Sequence, residues 1–134
     1  MSSNQGGRIL KTSSTNSKFV TGAVNGTVSL WKDKKIEKSN QVCNERTLVL
    51  FKQSRIFAAS KNKVVQLDMN LDILKKFEGR NAKPLKVDAN ESYLVVMYYG
   101  GDIDVHSRKE LDQNGTNKKI LVSRFNASLT LILS

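Results

Sequence analysis

Apolar and polar positions alternate along the chain with a period of two in short runs, and no stretch sustains a helical period. Thr27-Val28-Ser29-Leu30-Trp31, Val65-Gln66-Leu67-Asp68 and Asp102-Ile103-Asp104-Val105-His106 each read as a strand with one mainly apolar face. A short apolar run precedes each of them. Asn25-Gly26, Asn62-Lys63 and Gly100-Gly101 lie between the paired runs. Gly and Asn tolerate the positive φ that tight hairpin turns demand, so each pair reads as a hairpin.

The three hairpins sit in look-alike segments, residues 18–38, 55–77 and 92–111. Their alternating strands end at Trp31, Asp68 and His106, 37 and 38 residues apart. Further strands are predicted at 47–51 and 84–89, the second with Pro84 at its start, where a missing N–H costs least. Residues 73–77 are predicted as an outer strand rather than a short helix, because of their place in the repeat. Each unit thus has about four short strands, at a period close to the roughly 40 residues of a propeller blade. The expected fold is all-β: about three four-stranded antiparallel blades of a WD-repeat-type β-propeller, incomplete as a ring. Blades are expected over 18–111. Residues 1–17 read as a flexible tail or as a degenerate first strand around Arg8–Lys11. Residues 112–134 read as a polar turn or linker, Asp112–Lys119, and then two strands, 120–125 and 128–133, that begin a further blade.

Gly26-Thr27-Val28-Ser29-Leu30-Trp31 resembles the third strand of a WD repeat, with Lys32 where an Asp often flanks the Trp. Phe19-Val20-Thr21-Gly22 through Trp31-Lys32, followed by the basic stretch 33–38, is similar to blades of the echinoderm-microtubule-associated-protein-like family. Ser54–Ala59 through Val65–Asp68 resembles the next blade of that family, and the resemblance spans roughly residues 18 to 110. The chain departs from the pattern in lacking a Gly-His pair, with Cys43-Asn44 standing about where a His is expected, and in lacking the Gly-x-Asp-Gly turn of the second blade. The resemblance implies a non-catalytic scaffold that associates with microtubules and the cytoskeleton, in the cytoplasm or a cilium.

Composition narrows the chemistry. The 134 residues carry a net charge of +10 and a pI near 9.9, which favours an acidic partner. The single cysteine, Cys43, excludes an intrachain disulfide and a multi-cysteine zinc site. The longest apolar runs, 94–97 and 129–133, are far below the roughly 20 residues of a spanning helix. The polar N-terminus has no apolar signal region, and an intracellular protein is expected. Triplets of the form Asn-x-Ser/Thr at Asn25, Asn90, Asn114 and Asn126 then read as turn residues. Neither Gly6-Gly7 nor Gly100-Gly101 fits a phosphate loop, and no cofactor or metal is expected.

His106 reads as structural, Asp102 and Asp104 as solvated charges, and Trp31, Phe57 and Leu94–Val96 as core. No nucleophile stands in a recognisable motif with a base, so no enzyme is expected. The candidate partner-binding residues are the cations Lys32, Lys34, Lys35, Lys38, Lys75, Lys76 and Arg80, with Tyr98 and Tyr99 as aromatic anchors at a turn. A lysine patch on a propeller rim would attract an acidic protein tail, that of tubulin in particular. The alternative is a nucleic-acid-binding basic β module, against which stands the lack of aromatics interleaved with the basic residues. About three blades leave a ring open. Together with the apolar, β-prone Ser128–Ser134, this predicts a fragment or truncation, or a chain completed by another.

Overall fold

The computed structural model describes residues 9–15, 17–111, 115 and 117–122. These form twelve strands and no helix. In chain order they are β1 (Ile9–Thr15), β2 (Lys18–Ala23), β3 (Thr27–Lys32), β4 (Lys35–Gln41), β5 (Leu48–Lys52), β6 (Arg55–Ser60), β7 (Lys63–Leu67), β8 (Ile73–Phe77), β9 (Pro84–Ala89), β10 (Tyr93–Tyr98), β11 (Ile103–Leu111) and β12 (Asn117–Val122). Each consecutive group of four is an antiparallel meander. One parallel residue pair, Phe77–Asn117, joins the outer strands of the second and third groups.

The turns explain the meanders. Gly26 takes φ +92°, and the Asn25 side chain accepts from Thr27 N at 3.1 Å, closing β2 onto β3. Gly100 and Gly101, at φ +96° and +95°, turn β10 into β11. The β6–β7 turn is Lys61-Asn62, with Asn62 at φ +65°, and Lys63 already belongs to β7. Asp33-Lys34 and Gln53-Ser54 also hold positive φ at both positions, as a two-residue type I′ hairpin requires. Gly115, at φ +78°, lies in the segment that reverses β11 into β12. β12 pairs antiparallel with β11, so it completes the third sheet instead of starting a further blade. The strand expected at 128–133 lies outside the described residues.

The sheets stack face to face, with their first strands β1, β5 and β9 side by side. Val20, Val28 and Leu30 from the first sheet pack on Val49, Phe51, Ile56, Ala58, Val65 and Leu67 of the second. The opposite face of the second sheet, with Leu48, Phe57, Ala59 and Val64, packs on Val87, Ala89, Leu94, Val96 and Tyr98 of the third. The middle sheet is buried on both faces, which is why Ile56-Phe57-Ala58-Ala59 is apolar without alternation. Full burial of a side chain such as Phe57 or Ile56 contributes about 1.5–3 kcal/mol.

The register corrects one equivalence. Trp31 pairs with Phe19 and His106 with Leu94, whereas the matching residue Ile56 pairs with Leu67. Leu67, not Asp68, therefore occupies the repeated position. Asp68 lies one residue beyond β7, where its carboxylate accepts from the backbone N–H groups of Asn70 and Asp72. Trp31 is buried on the face opposite Val20 and Leu30, stacked on Phe19 at 5.5 Å, and its indole N–H donates to Thr21 Oγ1 at 3.0 Å.

Glycines let the ends of the first two sheets close tightly. Gly26 carbonyl oxygen accepts from the backbone N–H groups of Val42 and Cys43, both at 3.1 Å. A Cβ on Gly26 would lie 2.0 Å from the Cys43 carbonyl oxygen. The second sheet uses the same contact with the glycine on the other partner: a Cβ on Gly79, in the connection after β8, would lie 2.4 Å from Asn62 carbonyl carbon in the β6–β7 turn.

Candidate protein-binding surface

In each sheet the β1–β2 and β3–β4 type turns lie at one end, and the β2–β3 type turn and the exit to the next sheet lie at the other. The ends coincide from sheet to sheet: Lys52 Nζ reaches Ala89 carbonyl at 2.8 Å, and the Arg46 guanidinium reaches Pro84 carbonyl at 2.8 Å. Lys32, Lys34 and Lys35 are exposed at the first end, around the β3–β4 turn. Lys38 is exposed further along β4 and donates to Asn70 Oδ1 at 3.3 Å. One hairpin thus brings four of the candidate lysines together. Glu37 offsets part of this charge by pairing with Lys18 at 3.3 Å, and Asp33 sits in the turn itself. Lys75 and Lys76 are exposed on β8, the equivalent outer strand of the second sheet, and Lys75 Nζ donates to Arg108 carbonyl at 3.3 Å.

Two candidates are engaged inside the fold. Arg80 is half-buried and holds Asp104 with a two-point grip, Nη2 to Oδ1 at 2.6 Å and Nε to Oδ2 at 3.2 Å, with Asp102 at 3.4 Å from Nη1. Asp104 is 0% exposed, so it is an ion-paired core residue and not a solvated charge. Donating hydrogen bonds to the Asp104 carboxylate holds the Arg80 guanidinium protonated above even its ordinary range. Tyr98 is 1% exposed and belongs to the core between the second and third sheets. Burial pushes its phenol well above the ordinary tyrosine range, and the Arg80 guanidinium lies 5.7 Å from its ring centre. Tyr99 is 53% exposed, at the end opposite Lys34, with the Arg46 guanidinium 5.6 Å from its ring centre. The nine candidates therefore divide among one hairpin, one outer strand and the far end.

The groups weighed for chemistry have structural roles. His106 is buried, edge-on to Phe77 at 5.5 Å. Cys43 lies in the other core cluster, between the first two sheets, so the two do not meet as a nucleophile and base. Burial raises the Cys43 thiol above its usual value, against smaller lowering contributions from Thr47, Lys63 and Ser60. Less thiolate and no access predict that a maleimide alkylates Cys43 in the folded chain at least roughly tenfold more slowly than in denaturant. Equal rates measured by mass spectrometry would contradict this packing. Among the described residues no three His, Cys, Asp or Glu side chains converge as metal ligands.

A surface feature the sequence did not reveal is a cleft of about 560 Å³, lined by Ile73, Leu74, Lys75, Lys76, Arg108, Lys109, Gly115 and Asn117. The pairing of two aliphatics with two lysines on one outer strand was visible in Ile73–Lys76. The opposing wall comes from more than 30 residues later and needed the fold.

Among solved structures, the chain superposes on the computationally designed Ika4 protein with a TM-score of 0.71 and 14% identity, over 90% of this chain and 95% of that one. The WD40 β-propeller domain of Doa1 matches with a TM-score of 0.69 and 18% identity, over 85% of this chain. The fold is that of WD-type propeller blades. The designed Ika8 protein gives a TM-score of 0.68 at 15% identity. The blades span 46% of the Ika8 chain and 40% of the Doa1 chain. No protein-family model matches the sequence, and no curated protein matches it. The first blade is β1–β4, the second β5–β8 and the third β9–β12.

Proposed function

We propose that these blades are a non-catalytic scaffold that binds an acidic protein partner through lysines on their outer strands. The observation that carries this reading is the exposure of Lys32, Lys34, Lys35 and Lys38 on one outer hairpin, with Lys75 and Lys76 exposed on the equivalent strand of the next blade. The fold supports it, since propeller blades present many turns and outer strands on a rigid stack. The net charge of +10 supports it through long-range attraction of an acidic segment. The roles of His106, Cys43 and Asp104 in packing and ion pairing favour binding over catalysis.

The finer proposal is association with microtubules in the cytoplasm, through the acidic tails of tubulin. It is supported by the resemblance of residues 19–38 to a blade of the echinoderm-microtubule-associated-protein-like family. Co-sedimentation with microtubules over a salt series tests it. Binding is expected at low salt, weakening steeply as screening shortens electrostatic range, and lost when subtilisin removes the tubulin tails. Salt-insensitive binding, or none from a folded sample, would remove tubulin as the partner.

A further inference from the structure

We propose that the cleft between the outer strands of the second and third blades is a docking groove for an acidic, leucine-bearing peptide segment of a protein partner. This rests on the reading of the chain as a binding scaffold for acidic partners, and not on tubulin being that partner.

Three features of the groove select this occupant. The first is charge. Lys75, Lys76 and Lys109 are all exposed on its lining, and the described lining includes no carboxylate. Asp72 and Glu78 lie just beyond the two ends of β8, outside that lining. Arg108 adds positive charge beneath the surface. Its guanidinium donates to Asn90 carbonyl and lies 5.1 Å from the centre of the Phe57 ring, so it fixes the wall instead of reaching out. The second is apolar surface. Ile73 and Leu74 are 40% and 57% exposed, two of the few large aliphatics left uncovered, and they adjoin the lysines. An aliphatic side chain on the peptide would cover them.

The third is an available strand edge. β7 pairs with β8 on one side, and on the other side β12 meets β8 only at Phe77–Asn117. Among the described residues, 73–76 have no strand partner on that outer side. An extended peptide can add to such an edge through backbone hydrogen bonds, with alternate side chains facing the groove. Asn117 lies in the lining, buried, with Nδ2 donating to Arg108 carbonyl at 2.7 Å and Oδ1 without a partner among the described residues. A backbone N–H of the peptide is the complementary group. The cleft, at about 560 Å³, is of the size that holds small ligands.

The test is fluorescence anisotropy of a labelled synthetic peptide rich in glutamate with two central leucines, titrated with the full chain. The expected results are saturable binding, at least a tenfold loss on Lys75→Glu with Lys76→Glu, and at least a threefold loss when the leucines become serines. Lys61→Glu with Lys83→Glu changes charge equally at the far end, and should leave affinity within twofold. Because all four lysines are exposed, thermal melts should show both variants folded as the parent is. The proposal is overturned if the peptide does not bind, if the two variants weaken it equally, or if single-stranded DNA of equal charge competes as well as unlabelled peptide. Microtubule co-sedimentation reads the scaffold function separately, so a groove that fails leaves that result standing.

Discussion

Arg80→Ala is expected to lower the unfolding free energy by about 3–5 kcal/mol, because it removes the two-point ionic partner of a buried carboxylate. Asp104 is 0% exposed, and Arg80 meets both of its oxygens. The same guanidinium lies beside Tyr98, so its loss also loosens the face where the third blade meets the second. Arg80→Lys keeps the charge but not the two-point geometry, and should recover only part of the loss. Urea denaturation of the three proteins checks the order. An Arg80→Ala loss below about 1 kcal/mol, typical of an exposed pair, would show that the ion pair is not buried.

Gly26→Ala is expected to cost about 3 kcal/mol or more, the sum of a backbone and a steric effect. At φ +92° any Cβ is strained, and at this position it would sit 2.0 Å from the Cys43 carbonyl oxygen. Neither backbone can retreat cheaply, since Gly26 carbonyl accepts the N–H groups of both Val42 and Cys43. Gly100 separates the two effects. It has φ +96° and nothing within 4 Å of the added Cβ, so Gly100→Ala should cost only about 1 kcal/mol. Thermal or urea unfolding of both variants measures the difference. Equal losses would mean that the Gly26 turn does not press against the Cys43 connection.

The blade pattern was legible because its determinants are local. Asn25-Gly26 and Gly100-Gly101 announce their turns, and the flanking alternation sets the strands. The turns at Asp33-Lys34 and Gln53-Ser54 carry no glycine, so their positive φ values are imposed by the pairing of the strands they join. The strand of β12 was legible at 120–122 but its blade was not, because the polar stretch before it reads equally as a turn or a linker. Its assignment depends on pairing with β11, a non-local event. Arg80 reads as one more surface cation because its partner Asp104 is 24 residues away. Leu94, Val96 and Tyr98 follow one another at two-residue spacing, which signals a buried Tyr98. The neighbouring Tyr99-Gly100-Gly101 turn competes with that signal and wins on a local reading. The lysines of β4 and β8 were legible as exposed cations, whereas the cleft joining β8 to the third blade was not.

The central functional claim is that the lysines of the outer hairpin, and not net charge alone, hold an acidic partner. Its most direct measurement is microtubule co-sedimentation of Lys34→Glu with Lys35→Glu against Lys61→Glu with Lys83→Glu, two variants of equal net charge. The expected result is roughly tenfold weaker binding, about 1.4 kcal/mol, for the first variant and near-parental binding for the second. Equal weakening of both, or of neither, would contradict the assignment of binding to the outer strands.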